Sequence, residues 1–461
     1  MLKRTSDYSK RSMNILSKVS GSLLLILAMA TTAAAQEVKE LSLAEALSIG
    51  LENNFDIRIE EQRIEIAENN NAWGEAGRWP TVNLAIDQQN TLSDVPNAAP
   101  FQLSGTTIRN SVSPGVNVNW TLFNGFAVSI NKHRLALLEE QSYGNAALVV
   151  ENTMQAIINQ YYQSVLEKER LNVFSRSLEL SGDRYRYVEE RKRIGSAVTF
   201  DLLQEQTAYL TDSSNYVRQI QALDQAKRDL KVLLAMPAEQ RIDVSDSLEV
   251  VEADFNYDAL YAEMVSSNTN LRNQFLNQQL LDKSTRLARA QQYPTVTALG
   301  GYNHNRSRID LSQADINENQ APIINNLSNQ FFLNFSLNFT LWNGGQIKRD
   351  IQNAMVEERI GELQVEELQI QLANDLKTAV DLYGVRNQLQ AISAMNAEAS
   401  QLNVELARDK YSTGIINSFD YRDIQVAFLN SSLENLQARY DLIVSETEIL
   451  RLTGALLRES D

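Results

Sequence analysis

The chain consists of two halves that repeat the same short motifs in the same order. One half carries Leu-Phe-Asn-Gly ending at Gly125, and the other carries Leu-Trp-Asn-Gly ending at Gly344. A second glycine follows each motif after the same interval of 70 residues, at Gly195 and Gly414. Repeats of this kind are structural units that stack or pair. The equal interval therefore predicts two long elements of matched length, which indicates a mechanical role and not a catalytic one.

The repeat predicts one domain built from two halves, residues 36–250 and residues 251–461. Residues 1–35 precede it and combine a basic start, an apolar run from Leu23 to Ala30 and a small-residue site before Gln36. This is the pattern of a cleaved signal peptide, and the apolar run is shorter than the ~20 residues that a membrane span needs. An uncleaved anchor is the alternative. We expect the mature chain to be exported.

Composition excludes several classes of function. The net charge is −16, which disfavours binding to nucleic acid, and no basic patch interleaved with aromatic residues offsets it. No cysteine is present, and the two histidines, His133 and His304, lie in different halves. A zinc site is therefore not expected. Because the sequence also lacks a phosphate-binding loop and a nucleophile elbow, we expect no enzyme activity, no catalytic residue, no metal and no cofactor.

Four segments alternate apolar and polar residues with a period of two. The clearest covers residues 331–343, and residues 82–87, 116–122 and 295–305 show the same period. Strands of about ten residues with aromatic residues near their ends are typical of a transmembrane barrel. A strand of a soluble sandwich shows the same alternation over short lengths. Four such segments in matched pairs, within an exported chain, favour the barrel.

Four strands do not close a membrane barrel, because the smallest ones use about eight. Open strand edges are not tolerated in lipid, since every backbone polar group there needs a partner. We therefore expect the chain to oligomerise. The segments between the paired strands, residues 91–115 and 305–330, are rich in Pro, Asn and Ser. They are expected to be the long extracellular loops of such a barrel or ordinary disordered loops.

Two long stretches are free of proline, residues 125–195 and the chain after residue 344. Each can form a helix of about 65 residues, or ~100 Å. The segments that follow carry heptad repeats. In the first of them an apolar or aromatic residue recurs every seven positions, at Leu202, Tyr209, Tyr216, Leu223 and Leu230. Narrow apolar seams of this kind predict a coiled coil in a hollow helical tube. A solid soluble bundle would need wider apolar faces.

A tight turn is predicted where each long helix gives way to the next one. Gly195 and Gly414 are expected to end the outgoing helices in the left-handed conformation. Thr199 and Ser418 are expected to cap the helices that return. These two turns are called the hairpin tips below.

Taken in order, these motifs resemble the TolC family of outer-membrane efflux proteins. The resemblance extends from about Leu41 to Leu457 and rests on the tandem halves, the Trp-Pro and Tyr-Pro strand entries, the Asn-Gly strand exits and the paired Gly-x5-Asp tips. It implies an α+β membrane protein, a TolC-like tandem repeat with four transmembrane strands per chain. Three copies would form a twelve-stranded β-barrel, continued by a long periplasmic α-helical barrel. Residues 236–255 and the C-terminal tail would form a small mixed region.

The resemblance also implies a function. It predicts an outer-membrane channel of a tripartite efflux pump or a type I secretion system, which gives small molecules or proteins a passive exit from the periplasm. The implied partners are two further copies of the chain, a periplasmic adaptor (membrane fusion) protein, an inner-membrane transporter and outer-membrane lipid. A non-channel exported structural coiled coil is the alternative.

The resemblance further assigns a periplasmic tip or gate, made of Gly195, Asp201, Tyr411, Gly414, Asp420 and Asp423. Asp201 and Tyr411 match an aspartate and a tyrosine of the latch that holds the family's tip closed, but Ile416 stands where the latch has an arginine. Asp420 and Asp423 match an entrance ring of aspartates. On a threefold axis they would favour cations and raise carboxylate pKa values by like-charge repulsion. Asp201 and Asp420 also suit helix capping or the dipole at a helix N-terminus, and these roles are compatible.

Overall fold

The computed structural model describes most of the chain, in the ranges 39–97, 99, 103–250, 253–315 and 322–457. The predicted signal segment, residues 1–35, lies outside these ranges. In chain order the elements are β1 (Lys39–Leu41), α1 (Leu43–Asn53), α2 (Phe55–Asn70), β2 (Thr81–Val95), β3 (Gly105–Asn124), α3 (Ala127–Arg193), α4 (Thr199–Leu233), β4 (Ile242–Val244), α5 (Tyr257–Ser267), α6 (Thr269–Ala290), β5 (Thr295–Ala314), β6 (Ile323–Asn338), α7 (Gln346–Ser412) and α8 (Ser418–Thr453). The order of helix, strand pair, long helix and returning helix occurs twice, as the repeated motifs predict.

The chain folds into two compact units, and each is assembled from separated stretches. Of the described residues, the first unit contains those up to 58, those within 150–264 and those from 375 onward, and the second contains those within 59–149 and 265–374. Every crossing between the units lies within a helix. Both predicted repeats therefore contribute to both units.

The second unit contains a four-stranded antiparallel sheet in the order β2-β3-β5-β6. Its strands have 15, 20, 20 and 16 residues, so they are longer than the ten or so predicted. The two repeats meet in the middle of the sheet, where β3 of the first half pairs with β5 of the second. The four strands predicted from the period of two are confirmed.

The prediction of long loops at residues 91–115 and 305–330 is wrong for most of those residues. Strand β2 continues to Val95 and pairs there with Gly105, the first residue of β3. Cross-strand hydrogen bonds hold these strands together where polar residues interrupt the alternation, as where the Thr106 hydroxyl donates to the Asp94 carboxylate at 3.0 Å. Pro, Asn and Ser content therefore overstated the length of the loops.

The strand predicted over residues 331–343 is also shifted along the chain. Strand β6 begins at Ile323 and ends at Asn338, which pairs with Thr295, the first residue of β5. Because β5 begins at Thr295, residues 339–343 have no strand to pair with and are not part of the sheet, although apolar and polar residues still alternate there. Two glycines with positive φ, Gly344 and Gly345, then turn the chain into α7.

Helix α6 of the second unit packs closely against both long helices of that unit. A Cβ atom on Gly144 of α3 would lie 1.8 Å from the Asn273 side chain of α6, and one on Gly361 of α7 would lie 2.5 Å from Leu281 of α6. Only glycine allows helices to approach this closely. The Thr285 hydroxyl of α6 also donates to the carbonyl oxygen of Ala354 in α7 at 3.2 Å.

The predicted long helices are confirmed, and their lengths match. Helices α3 and α7 each have 67 residues, and the returning helices α4 and α8 have 35 and 36. Helices of this length are possible because the segments lack proline and are rich in alanine and in residues with unbranched side chains. Among the described residues, no helix is both long enough and apolar enough to cross a lipid bilayer.

The first unit has an apolar core that joins helices α1, α3 and α4 to a small two-stranded sheet. Strand β1 pairs in parallel with β4, and Leu41 lies opposite Val244. Ile157, Tyr161 and Leu230 are fully buried in this core. A mixed region was predicted around residues 236–255, and β4 lies within it. Its partner strand, β1, comes from the start of the described chain and was not predicted.

Candidate functional site: the two-faced sheet and the hairpin tips

The sheet of the second unit has one continuous apolar face. Residues that pair directly across an antiparallel sheet point to the same side, and two rows of such residues cross all four strands. These rows are Leu84, Val116, Tyr302 and Phe331, and next to them Val82, Val118, Gly300 and Leu333. The face is uncovered in the single chain, since Phe331 is 80% exposed and Leu84 is 72% exposed.

The apolar face forms a band whose height suits a membrane. On β6 it extends over the alternate residues from Phe331 to Leu337, or about 20 Å at ~3.4 Å per residue. Transmembrane barrels carry an outward apolar band of about 25 Å. Toward the start of β6 the same face becomes mixed. Asn329, two residues before Phe331, accepts hydrogen bonds from the Tyr302 hydroxyl at 3.0 Å and from the His304 ring at 2.6 Å, and the exposed Leu327 lies two residues further on.

The opposite face of the sheet is rich in amides and hydroxyls. Asn83 pairs with Asn117, and Thr297 pairs with Ser336. Leu299 and Phe332 are apolar exceptions on this face, where Leu299 lies opposite Asn334 and Phe332 lies opposite Gly301. The alternation predicted from sequence is therefore confirmed as two chemically different faces of one sheet.

Both outer strands of the sheet have an unpaired edge. In the described parts of the chain, β2 pairs only with β3, and β6 pairs only with β5. A row of unpaired N–H and C=O groups is a template for another strand. Within lipid such an edge is not stable. The sheet of one chain therefore leaves two strand edges without partners.

The two hairpin tips, in the first unit, have the conformation predicted for them. Gly195 and Gly414 have φ values of +79° and +78°. The N–H of Ser196 donates to the carbonyl of Arg191 at 2.7 Å, and the N–H of Ile415 donates to that of Lys410 at 2.9 Å. These bonds satisfy the last carbonyls of each outgoing helix, as in a Schellman motif. The left-handed glycine at each tip is confirmed.

The predicted caps of the returning helices are wrong by one residue. The residue before α4 is Val198, which has an extended backbone and no side-chain cap. The residue before α8 is Asn417, whose side chain accepts a hydrogen bond from the Asp420 N–H at 2.9 Å. Thr199 and Ser418 are already the first helical residues, where a side chain no longer reaches the free N–H groups.

Asp201 and Asp420 lie in the first turns of α4 and α8, where the helix dipole stabilises negative charge. Neither side chain forms the cap. Asp423 follows one turn later in α8, and both Asp420 and Asp423 are exposed. Their side chains make no hydrogen bond or ion pair with a described residue. An entrance ring would need other copies of the chain, so that role remains a prediction.

Tyr411 lies among aromatic rings and does not bond to Asp201 within the described chain. Its ring stacks on Tyr421 with centroids 5.0 Å apart and meets Tyr187 edge-on at 5.4 Å. Burial raises the pKa of Tyr411 to about 12, and the nearby negative charge of Glu205 adds to the shift. The phenol is therefore neutral at physiological pH. The latch between Asp201 and Tyr411 remains a prediction.

A buried ion pair next to these rings was not predicted from sequence. Arg184 Nε donates to Glu205 Oε2 at 2.9 Å, with side chains that are 1% and 4% exposed. Both Nη atoms of Arg184 are buried and have no hydrogen-bond partner in the described chain. Arg184 also lies 5.8 Å from the ring of Tyr421. This pair joins α3 to α4 and places a buried charge against α8.

A second ion pair joins the two hairpins directly. The Arg422 guanidinium of α8 donates to both carboxylate oxygens of Asp212 in α4, at 2.7 and 3.2 Å. The Asp212 side chain is 2% exposed. Bidentate pairs of this kind fix geometry as well as charge. A sequence signal did exist, because Glu205 and Asp212 each follow a heptad residue, Leu202 or Tyr209, by three positions.

No group of three or more His, Cys, Asp or Glu residues in the described ranges is arranged to hold a metal ion.

Comparison with known proteins identifies the fold, and one family model matches the second half of the chain. Residues 260–455 match the family model described as outer membrane efflux protein. Several solved structures are similar over 89% of this chain. The CmeC outer membrane channel of Campylobacter jejuni has a TM-score of 0.73 at 13% identity over 85% of its own chain. The open state of the MtrE outer membrane channel of Neisseria gonorrhoeae has 0.68 at 13% over 88%. The outer membrane protein VceC of Vibrio cholerae has 0.66 at 11% over 96%.

None of the curated proteins is significantly similar in sequence. At identities this low the structural matches establish the fold alone, and the family match covers residues 260–455 only. The second half of the chain is therefore similar to outer membrane efflux proteins, and the chain has the TolC-like fold of these outer membrane channels over 89% of its length.

Proposed function

We propose that three copies of this chain form a channel in the outer membrane, through which small molecules or proteins leave the periplasm passively. The observation that carries this proposal is the four-stranded sheet, which has an apolar band on one face, polar side chains on the other and an unpaired edge on each side. In a single chain the backbone N–H and C=O groups at the outer edges of β2 and β6 have no partners, and hydrocarbon does not supply any. Three chains supply twelve strands, and a barrel of twelve removes every edge.

In this assembly the apolar band faces hydrocarbon and the amide-rich face lines the pore. Edge strand β2 of one copy pairs with β6 of the next. Because the pore lining carries neutral amides such as Asn83, Asn117 and Asn334 among a few apolar side chains, it lets polar solutes pass without a specific binding site. No catalytic step and no cofactor belong to this function.

Two exposed apolar seams on the helices of the first unit support the same assembly. On α7 the seam steps by three and four residues, at Leu382, Val385, Leu389 and Ile392. On α4 it contains Phe200, Leu203, Leu210 and Val217. Coiled-coil spacing on an uncovered face indicates a partner helix. Seams of neighbouring copies would close the periplasmic helical barrel.

The hairpin tips are proposed as the periplasmic gate, with Asp420 and Asp423 in the entrance ring. The ion pair between Arg422 and Asp212 holds the two hairpins together without the family's latch arginine, which is Ile416 here. Opening would be driven by a periplasmic adaptor protein that connects the gate to an inner-membrane transporter. A type I secretion system would use the same parts, with a protein as cargo.

The test is single-channel conductance in planar bilayers, together with the oligomeric state in detergent. Phe335→Asp puts a charge on the lipid face and should abolish insertion, whereas Asn334→Asp puts the same charge on the pore face. We expect Asn334→Asp to conduct and to gain cation selectivity. A parent protein that is monomeric and does not conduct would overturn the proposal and favour a non-channel exported coiled coil.

A further inference from the structure

Arg78 lies in a cluster that contains three of the four tryptophans of the chain. Its guanidinium carbon is 4.7 Å from the centroid of the Trp73 ring and 5.7 Å from that of Trp79. The indole N–H of Trp120 donates to the Arg78 carbonyl at 2.9 Å. Aromatic faces attract cations most strongly when the ring is that of tryptophan. The three residues of the second unit thus hold one arginine in a fixed place.

The loop that carries this cluster is fixed by its own hydrogen bonds. The N–H of Arg78 donates to the carbonyl of Trp73 at 3.0 Å, and that of Ala76 donates to the carbonyl of Ala72 at 3.1 Å. Gly77 between them has a φ of +88°, a conformation that glycine adopts without strain. The turn therefore brings Trp73 and Arg78 together and presets the site.

The cluster is open to the surroundings and contains an unpaired cation, with the exposed Glu75 in the same turn. Arg78 and Trp79 are both exposed, and Trp79 is 60% exposed. The Arg78 guanidinium makes no hydrogen bond or ion pair with a described residue, so its planar set of donors is free. A second cation, Lys132 at the start of α3, lies 6.0 Å from the centroid of the Trp73 ring. The Lys132 ammonium also donates to the Asn71 side chain, which fixes its position.

The cluster also adjoins the end of the apolar band. Trp79 comes two residues before β2, and Trp120 lies on the apolar face opposite Ala298. Tryptophan is enriched at the level of lipid headgroups, where its ring contacts hydrocarbon and its N–H contacts polar groups. Guanidinium groups match the geometry of phosphate oxygens. An arginine held by tryptophans at the border of an apolar band therefore has the chemistry of a headgroup site.

We propose that Arg78, with Lys132 nearby, binds the phosphate of a phospholipid headgroup, while the rings of Trp73 and Trp79 contact the upper acyl chains. This inference rests on the proposed function, since that function puts the band in the membrane. The helices leave the sheet at the end where the cluster lies. In the proposed channel this is the periplasmic side, so the ligand is a phospholipid of the inner leaflet.

The experiment titrates the detergent-purified oligomer with phosphatidylglycerol and counts bound lipid by native mass spectrometry. Arg78→Gln removes the free guanidinium and should weaken binding about tenfold, as for the loss of a charge-assisted bond. Arg272→Gln makes the same change of charge on an exposed arginine of α6 and should leave binding unchanged. Arg78→Lys keeps the charge and the fold, and we expect its lipid affinity to lie between that of the parent and that of Arg78→Gln.

Equal lipid binding by Arg78→Gln and Arg272→Gln would overturn the site. Displacement of the lipid by millimolar inorganic phosphate would also overturn it, because the cluster would then be a general anion site. Conductance of the same preparations separates the two proposals. A parent that conducts while Arg78→Gln binds lipid normally contradicts only the headgroup site, whereas a parent that does not conduct contradicts the channel.

Discussion

Helices α3 and α4 contact each other over two regions of opposite chemistry. The first is the apolar cluster, in which Tyr161, Leu230 and Leu234 are fully buried. The second is the polar seam, which lies nearer the hairpin tip in sequence and has Glu205, Asp212 and Gln219 at the buried positions. Each of the three follows a heptad residue by three positions, so the polar seam takes the place that apolar residues take in an ordinary coiled coil.

The two regions do different work in the same pair of helices. The apolar cluster supplies stability that depends on buried area and tolerates small shifts. The polar seam needs a specific partner for each buried group, such as Arg184 for Glu205 and the Glu167 carboxylate for Gln219 at 2.6 Å. Buried pairs add little net stability, but breaking one is costly. The polar seam therefore fixes one alignment of the hairpins, and it is the region that a partner could switch.

The largest effect should come from breaking one pair of the polar seam. Glu205→Leu leaves the Arg184 guanidinium buried without its carboxylate, and we expect the free energy of unfolding to fall by about 3–5 kcal/mol. Chemical denaturation of the purified protein measures this. As a control, Glu190→Leu breaks the exposed pair with Arg193 and should cost less than about 1 kcal/mol.

The same prediction is sharpened by a double variant. Replacing both partners, with Arg184→Met and Glu205→Leu together, removes the unpaired charge and should recover most of the lost stability. A double variant as unstable as Glu205→Leu would show that the polar seam is needed for more than charge balance. A single variant as stable as the parent would contradict the burial of the pair.

A somewhat smaller loss is expected in the apolar cluster. Leu230→Ala removes a fully buried side chain and should lower the free energy of unfolding by about 3 kcal/mol. Val232→Ala on the same helix is the matched control, because Val232 is 75% exposed and its loss should change stability by less than about 0.5 kcal/mol. If the gate depends on the polar seam, the Leu230→Ala channel should open as rarely as the parent. Frequent opening would remove the distinction between the two regions.

Mutations at the hairpin tips should lower stability less than those in the apolar cluster or the polar seam. Gly414→Val forces a β-branched residue into a φ of +78° and should cost about 1–2 kcal/mol. No atom lies within 4 Å of the Cβ position at Gly195 or Gly414, so the cost is conformational and not steric. Gly414→Asn is the control, since Asn tolerates this conformation. Equal losses of thermal stability in the two variants would contradict this explanation.

Local signals in the sequence predicted the parts of the molecule that local chemistry determines. The interval between Gly125 and Gly195 predicted two long helices of equal length, and the glycines predicted the left-handed tips. Alternation predicted the four strands and their two faces. The strands extend further than the alternation, because cross-strand backbone hydrogen bonds hold residues such as Asp94 and Thr106 whatever the pattern of their side chains.

Contacts between distant residues were not predicted. The heptads were recognised by their apolar members, so the polar residues three positions later were expected to face solvent. Their burial depends on residues that are distant in sequence: Asp212 pairs with Arg422, 210 residues away. The tryptophan cluster depends in the same way on the Gly77 turn and on Trp120 from the next strand. The entrance ring of Asp420 and Asp423 concerns contacts between copies, which one chain does not contain, and the latch between Asp201 and Tyr411 remains a prediction.

The smallest difference in stability should be that between the phenylalanine variants of two tyrosines, Tyr161 in the apolar cluster and Tyr411 next to the polar seam. Burial raises the pKa of both Tyr161 and Tyr411 to about 12. The Tyr161 hydroxyl, in the apolar cluster, donates to the Leu41 carbonyl at 2.8 Å and accepts from the Asp246 N–H at 3.3 Å. The Tyr411 hydroxyl makes no hydrogen bond to a described residue. At pH 8 we therefore expect Tyr161→Phe to cost about 1 kcal/mol and Tyr411→Phe to cost almost nothing.

At alkaline pH the two tyrosines should behave alike. The unfolded chain loses the phenol proton near pH 10, while the folded chain keeps it to about pH 12. The folded state therefore binds more protons in this window, so stability falls as pH rises from 10 to 12. Each Phe variant lacks one of these protons and should show a shallower fall in the unfolding midpoint. A variant that is unchanged at pH 8 but shallower at pH 11 would place Tyr411 in a closed, aromatic environment in the assembled protein, whereas an unchanged slope would show that the gate leaves this ring in water.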